Sequence, residues 1–170
     1  PLRSRTHPWG FPWLTGVRKA KLMRANTLTK FAIQVIEAAC MAGVGVMLEH
    51  PEDLGRHYTG ACPASIWQLP ELRNMAIKFK ATRRSFHQFP YGAASPKPSG
   101  LWATINMHDD FGVEGWPQFD HRFVYTGPLE KIAAKPMLMG PDRTGASAGY
   151  PDKLCLKLAT MIIEHLIKIR

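Results

Sequence analysis

The sequence lacks a long uninterrupted apolar segment. No stretch approaches the ~18 consecutive apolar residues that a membrane-spanning helix requires. The N-terminal residues PLRSRTHPWG also lack the apolar centre of a secretory signal peptide. The sequence therefore predicts an intracellular domain, nuclear or cytoplasmic, without a membrane partner.

Cysteine is scarce, which argues against a disulfide framework. The three cysteines, Cys40, Cys62 and Cys155, are odd in number and far apart. Reduced thiols are typical of intracellular proteins. Cys40 and Cys155 fall among apolar residues in helical patterns, so we predict that both are buried thiols.

Acidic residues are missing from the N-terminal part of the chain. The formal net charge is +9, and the first acidic residue is Glu37. Before it, cations alternate with Trp9, Phe11 and Trp13. Cations release counterions from phosphates, and aromatic rings stack on bases, so this composition favours nucleic acid as a partner. The alternative is a solvated leader whose aromatic rings pack on the domain. The predicted nucleic-acid contacts are Arg3, Arg5, Arg18, Lys19, Lys21 and Arg24.

The length of 170 residues fits one domain, which we place at residues 25–170 after an irregular basic arm at residues 1–24. Asn26 is a suitable N-cap for a first helix. The apolar run Val44 to Leu48 predicts a buried parallel strand. The remaining predicted elements are a helix at 70–79, strands at Arg83–Phe89 and Leu101–Met107, a short strand at 122–125, and a helix at 151–169. This order predicts an α/β fold with a Rossmann-like, mostly parallel sheet and flanking helices.

Glu49, followed by His50 and Pro51, comes directly after the first predicted strand. Ligand sites in parallel sheets lie beyond the carboxyl ends of the strands. A carboxylate at that position is suited to bind or protonate a ring nitrogen, and Glu49 is therefore the candidate catalytic residue. The alternative is an ordinary polar strand end.

Three motifs occur in a fixed order along the chain: Leu48-Glu49-His50-Pro51, then Tyr91-Gly92 followed by Ser95-Pro96-Lys97-Pro98-Ser99, then Tyr150-Pro151 with Leu154-Cys155. In this order the chain resembles the C-terminal half of cytosine-5 DNA methyltransferases. It is most similar to the divergent domains of this family in the polyproteins of eukaryotic mobile elements.

The resemblance implies a role for each motif. Glu49 would be the acid that binds the target base, and His50, Pro51, Tyr91 and Lys97 would contact the substrate. Tyr150 and Pro151 would border the cofactor, S-adenosylmethionine.

The sequence also departs from this family. His50 and Pro51 replace an Asn and a Val, and the paired arginines of the basic strand are absent. The Gly-rich cofactor loop and the Pro-Cys nucleophile have no counterpart here and would lie upstream of Pro1. Methyl transfer to cytosine needs a thiolate and a bound sulfonium donor. We therefore predict a methyltransferase-like domain that is incomplete and inactive alone, with S-adenosylmethionine bound only when upstream residues are present.

Two other functions fit the sequence. The first is a non-enzymatic module of the same fold that binds nucleic acid or supports assembly. The second is a metal-dependent nuclease, since polar loop residues supply nitrogen and oxygen donors. These donors are His108, Asp109, Asp110, Asp120 and His121. Neither this set nor His50, His57 and Cys62 has the spacing of a known metal motif, so we predict no metal site.

Overall fold

The computed structural model describes residues 1–129 and 149–168. These residues form three helices and four strands. The helices are α1 (Gly16–Met41), α2 (Pro70–Lys78) and α3 (Asp152–Lys168), and the strands are β1 (Met47–Pro51), β2 (Thr82–His87), β3 (Pro98–Ala103) and β4 (Val113–Glu114). None of the described helices combines the length and the apolar character that crossing a membrane requires.

The chain folds into two compact units that exchange segments along the sequence. The helical unit comprises Pro1–Val46, Asp53–Ala81 and Pro117–Gly127, and it contains α1 and α2. The sheet unit comprises Met47–Glu52, Thr82–Trp116 and the described residues after Gly127. All four strands and α3 belong to the sheet unit.

The sheet is antiparallel, with the strand order β1-β3-β2-β4. The predicted Rossmann-like parallel sheet is therefore wrong. β1 and β2 run in the same direction, but β3 lies between them and is antiparallel to both. The connection from β2 to β3 is only residues 88–97, which is too short for a parallel crossover and suits an antiparallel pair. It turns through a 3₁₀ segment, Phe89–Tyr91, and Gly92 at a left-handed φ of 102°.

The first strand also differs from its prediction. β1 begins at Met47, so Val44 to Val46 lie outside it, and Glu49 is in the middle of the strand instead of after its end. Among the described residues β1 pairs only with β3, which makes it an edge strand. Pro51 has no N–H to donate to a sheet, and an edge strand tolerates this loss.

One face of the sheet packs against α3 and forms the core of the sheet unit. Because side chains alternate along a strand, Met47, Phe86 and Leu101 share this face. They form one cluster with Leu154 and Met161 of α3. The backbone N–H groups of Leu154 and Cys155 donate to the carbonyl of Pro151, which fixes the start of the helix.

The N-terminal segment differs from the predicted irregular arm. α1 begins at Gly16, so residues 16–24 are helical instead of irregular. This segment is rich in Ala, Leu, Met, Arg and Lys, which all favour helix. Asn26 lies inside the helix and is not its N-cap. Leu28, Phe31 and Val35, which recur at the spacing of one helical face, are exposed, whereas Leu22 and Ile36 are buried.

Three other predicted elements, α2, β2 and α3, are close to their observed bounds. The strand predicted at Leu101–Met107 overlaps β3 only at residues 101–103. Residues 122–125 contain only isolated bridges, at Val124 and Tyr125. Cys155 is exposed and Cys40 is partly exposed, so the prediction of two buried thiols is wrong for Cys155 and is not confirmed for Cys40. Residue 169, the last of the predicted C-terminal helix, lies outside the described residues.

Candidate functional site

Glu49 lies on the same face of the sheet as the core. It is directly opposite Leu101 of β3, which in turn is opposite Arg84 of β2. Its position at the edge strand leaves the carboxylate half-buried instead of enclosed. Glu49 therefore combines a fixed backbone with access to a ligand.

Each carboxylate oxygen of Glu49 accepts a hydrogen bond from a different part of the sheet unit. Oε2 accepts from the Tyr150 hydroxyl at 2.6 Å, and Oε1 accepts from Gln88 Nε2 at 3.4 Å. A carboxylate oxygen has two lone pairs, so each oxygen keeps one for a further donor. The two bonds orient the carboxylate without saturating it.

Gln88 and Ser99 extend the hydrogen-bond network of Glu49. Gln88 is fully buried, and its Nε2 also donates to Ser99 Oγ at 2.9 Å. Ser99 Oγ in turn donates to the carbonyl of Lys97 at 3.4 Å. Gln88 was not predicted from the sequence. The only signal for it was its position as an amide side chain between a predicted strand and the Phe89-Pro90-Tyr91 turn.

Tyr150 precedes α3 and is 46% exposed. Partial burial is the main cause that raises the pKa of Tyr150 to about 12, and the hydrogen bond to Glu49 adds to it. The phenol is therefore a stable donor at neutral pH. The Lys97 ammonium lies 5.4 Å from the centre of the Tyr150 ring, within the range of a cation–π interaction.

The Tyr150 hydroxyl gives a prediction for alkaline pH. At about pH 11, above the ordinary tyrosine pKa of about 10, Tyr150 should remain protonated because its pKa is about 12. Tyr150→Phe should therefore leave the phenolate absorbance at that pH nearly unchanged, whereas Glu49→Gln should increase it. The pKa of Tyr150 is higher in the folded chain than the ordinary value. The stability gained from protonated Tyr150 is therefore complete below pH 10 and is lost as the pH rises toward 12. A clear loss of absorbance in Tyr150→Phe would contradict the assignment.

The segments of the three sequence motifs meet in the sheet unit. Glu49 and Tyr150 are 101 residues apart in sequence and share a hydrogen bond. A Cβ placed on Gly92 would lie 3.9 Å from Cβ of Pro151, so the second and third motifs adjoin as well. We call Glu49, Gln88, Lys97, Ser99 and Tyr150 the Glu49 cluster.

No protein-family model, curated protein or solved structure matches this chain. A functional proposal therefore depends on the arrangement of the chain's own side chains.

The other predicted substrate residues lie elsewhere. His50 is on the sheet face opposite Glu49, its Nδ1 is 3.2 Å from the carbonyl of Pro51, and burial lowers its pKa. Pro51 is exposed at the end of β1. The Tyr91 ring packs against Phe86 and Phe111 in the core. Contact of His50, Pro51 and Tyr91 with a substrate therefore stays a prediction.

An open depression of about 380 Å³ lies beside the Tyr91 ring. Phe86, His87 and Asp110 also line it, but none of the Glu49 cluster does. The depression and the Glu49 cluster are therefore separate features of the sheet unit.

Two of the predicted nucleic-acid contacts have structural roles in the helical unit. Arg3 donates to Asn26 Oδ1 at 2.6 Å. The Arg5 guanidinium lies 4.3 Å from the ring centre of Phe119 and 5.1 Å from that of Phe123. These contacts hold the first residues of the chain against the rest of the unit. The predicted alternative, a solvated leader whose aromatic rings pack on the domain, stays a prediction, because these contacts are made by arginines and Trp13 is 66% exposed.

The remaining predicted contacts are exposed on α1. They are Arg18, Lys19, Lys21 and Arg24. The first turn of α1 has no acidic residue. Cations in the first turn of a helix oppose the helix dipole, so Arg18 and Lys19 do not stabilise the start of α1. In the same unit the rings of Trp13 and Phe11 stack with their centres 4.7 Å apart. Trp13 is 66% exposed, so its ring is accessible for further stacking.

A buried ion pair lies on the opposite face of the sheet. Arg83 of β2 and Glu52, which follows β1, form a salt bridge in which both side chains are inaccessible to solvent. Arg83 also donates to the carbonyl of Gly115 at 2.8 Å and to Ser85 Oγ at 2.9 Å. Sequence reasoning predicted this strand but missed the pair, because charged side chains are mostly exposed.

Three of the residues proposed for a nuclease, His108, Asp110 and Asp120, contact other groups of the chain. Lys157 donates to both oxygens of Asp110 at 2.8 Å, and His108 lies 2.9 Å from Glu164. The Asp120 carboxylate, in the helical unit, accepts from backbone N–H groups of its own loop. Within residues 1–129 and 149–168, no three His, Cys, Asp or Glu side chains form a group that could hold a metal ion.

Proposed function

We propose that the chain is a nucleic-acid-binding module in which the Glu49 cluster contacts a base, in the manner of the base-binding part of a cytosine-5 DNA methyltransferase. One observation carries the proposal: the hydrogen bond of 2.6 Å between Tyr150 and Glu49 joins two motifs on which the resemblance depends. Because the sheet is antiparallel, a Rossmann-like fold cannot be used to support this function.

The chemistry of the carboxylate defines the ligand. A carboxylate only accepts hydrogen bonds, so a base must offer it donors. Cytosine, adenine and guanine carry an amino group, whereas thymine offers a single ring N–H. A carboxylate that accepts from the cytosine amino group is an established form of base recognition. The free lone pairs of Glu49 are suited to this contact.

The exposed cations of α1 supply the second part of the proposal. Phosphate contacts provide most of the affinity of nucleic-acid binding, whereas contacts to base edges provide specificity. Arg18, Lys19, Lys21 and Arg24 are exposed, and no acidic residue precedes Glu37 in the sequence. We assign phosphate binding to these four side chains.

S-adenosylmethionine has no role in this proposal. The resemblance places Tyr150 and Pro151 beside that cofactor. Tyr150, however, directs its hydroxyl at Glu49, and Pro151 lies against Gly92. No Pro-Cys dipeptide occurs in the sequence to supply the thiolate. A methyl-transfer step is therefore not assigned to these residues.

The experiment that tests base contact compares short single-stranded oligonucleotides, each composed of one base, in equilibrium titrations followed by fluorescence anisotropy. We expect oligonucleotides of bases with an amino group to bind more tightly than oligothymidylate. Equal affinity for all of them would mean that only phosphates are bound, and the base-contact proposal would fail.

The salt dependence of binding tests the cations of α1. Replacing Arg18, Lys19, Lys21 and Arg24 together with alanine preserves helix propensity and should flatten the slope of log K against log salt by about 3, at ~0.7 for each lost contact to a single strand. The matched control replaces Lys80 and Lys153, which are exposed elsewhere. An unchanged slope in the α1 variant would show that these cations do not bind phosphate.

A further inference from the structure

Three aromatic side chains before α1 form one cluster, which we call the aromatic stack: His7, Phe11 and Trp13. The rings of Phe11 and Trp13 are stacked, with an angle of 17° between their planes. The centre of the His7 ring lies 5.5 Å from that of Phe11 and 5.6 Å from that of Trp13. Because these two distances are nearly equal, His7 lies beside the stacked pair and not on the outer face of Trp13. Phe11 therefore covers one face of the exposed Trp13 indole, and the other face is open to solvent.

Backbone contacts hold the aromatic stack in place. The N–H of Gly10 donates to the carbonyl of His7 at 3.0 Å, and the N–H of Leu14 donates to the carbonyl of Phe11 at 3.3 Å. Leu14 is buried. A Cβ placed on Gly10 would overlap the side chain of Leu22, so this turn lies directly on α1. A ring that is already ordered loses little conformational entropy when a ligand stacks on it.

The aromatic stack lies close to a cation of α1. Arg18 Nη2 donates to the carbonyl of Pro1 at 3.4 Å, and the N–H of Phe11 donates to the carbonyl of Leu2 at 3.1 Å. Arg18 and Phe11 therefore contact consecutive residues of one segment. No acidic residue occurs among the first 36 residues of the chain. An occupant of the open Trp13 face thus meets a flat ring beside positive charge, which suits a base that carries phosphate.

Trp9 is not equivalent to Trp13. The Lys30 ammonium lies 5.4 Å from the centre of the Trp9 ring, within the range of a cation–π interaction. The Trp9 carbonyl also accepts from Asn26 Nδ2 at 2.7 Å, which fixes this residue against α1. The ring suited to stack on a ligand in this segment is therefore that of Trp13.

We propose that an unpaired nucleobase stacks on the open face of Trp13, so that the nucleic acid bound by this chain is single-stranded. Stacking on Trp13 rests on the proposed function, because the cations of α1 bind the phosphates of the same strand. In a duplex the neighbouring bases cover both faces of each base, and a protein ring can stack on it only after it is unstacked. A single strand offers the faces of its bases to aromatic side chains directly.

Phosphate contacts alone predict the opposite preference. A duplex releases more counterions for each neutralised phosphate than a single strand does, so cations that bind only phosphates favour the duplex. Stacking on Trp13 favours the single strand. The preference between the two forms therefore separates stacking from phosphate binding.

Competition between a single strand and a duplex of equal length, at one salt concentration, tests the substrate class. We expect the wild type to bind the single strand more tightly. Trp13→Leu should weaken binding of the single strand by about 5–150-fold, the range for losing one stacked base, and should leave binding of the duplex nearly unchanged. Tighter binding of the duplex by the wild type would overturn the proposal.

Two control variants distinguish stacking from apolar contact. Trp13→Phe keeps a ring at this position and should retain most of the affinity for the single strand, whereas leucine keeps only apolar bulk. Tyr58→Leu removes another exposed ring, outside α1 and the aromatic stack, and should bind like the wild type. Equal losses in Trp13→Phe and Trp13→Leu, or in Tyr58→Leu and Trp13→Leu, would contradict stacking on Trp13.

Failure of stacking and failure of the proposed function give different results. If Trp13→Leu binds the single strand like the wild type while the fourfold alanine variant of α1 still flattens the salt slope, stacking on Trp13 is wrong and phosphate binding stands. If the wild type binds neither nucleic acid, both proposals are wrong. Circular dichroism of Trp13→Leu should match the wild type, because the side chain is exposed.

Discussion

Replacing Arg83 with alanine is expected to lower the free energy of unfolding by about 3–5 kcal/mol, the range for removing one partner of a buried ion pair. The cause is the Glu52 carboxylate, which would remain without its cation in a place that excludes solvent. The carbonyl of Gly115 and the hydroxyl of Ser85 would also lose a donor. Urea unfolding of the variant and the wild type measures this difference.

Two further variants separate the buried charge from packing. Arg83→Met with Glu52→Leu removes both charges and should be less destabilising than Arg83→Ala, because no buried carboxylate then loses the Arg83 charge. Lys78→Ala breaks the exposed pair with Glu37 and should cost about 1 kcal/mol or less. If Arg83→Ala were as mild as Lys78→Ala, the ion pair would not be a stabilising feature of the sheet unit.

Replacing Glu49 with glutamine is expected to weaken binding of amino-bearing bases by about 10–100-fold, since a well-placed pair of contacts to a base contributes about 1–3 kcal/mol. The amide keeps one acceptor oxygen but replaces the other with a donor, which opposes the amino group of the base. Binding to oligothymidylate should change little. Anisotropy titrations at one fixed salt concentration measure both effects.

Glu71→Gln is the matched control for this variant, because Glu71 is an exposed glutamate in the first turn of α2. It makes the same change of charge without touching the Glu49 cluster. An equal loss of affinity in both variants would assign the effect to net charge. Circular dichroism of Glu49→Gln should match the wild type, since Glu49 is only half-buried.

Local patterns predicted most elements of the sheet unit but not how they pair. The strand at β2 and the helices α2 and α3 follow from alternation, helical spacing and Pro151. The direction and the neighbours of β1 do not, because an apolar run such as Val44 to Leu48 fits either a central parallel strand or an edge strand. The pairing of β1 with β3 joins residues about fifty positions apart, and no local signal encodes that contact.

The candidate site was predictable only in part, for a similar reason. Glu49, Lys97 and Tyr150 were singled out from the sequence, and the structure brings them together. The supporting side chain Gln88 was missed because its role depends on burial between distant segments.

The N-terminal cations were predicted as one set, but Arg3 and Arg5 differ from the others because Asn26, Phe119 and Phe123 contact them. Charge alone could not separate the two groups.

The most direct test of base contact by Glu49 is carbon-detected NMR of the glutamate side-chain carboxyl groups during titration with deoxycytidine monophosphate. The Glu49 signal is identified by its loss in Glu49→Gln, and Glu71 serves as the internal reference. We predict a saturable shift of the Glu49 carboxyl signal, together with a shift of the Gln88 side-chain amide, while Glu71 is unaffected. A Glu49 signal that does not move, or that moves only as much as Glu71, would contradict the proposal.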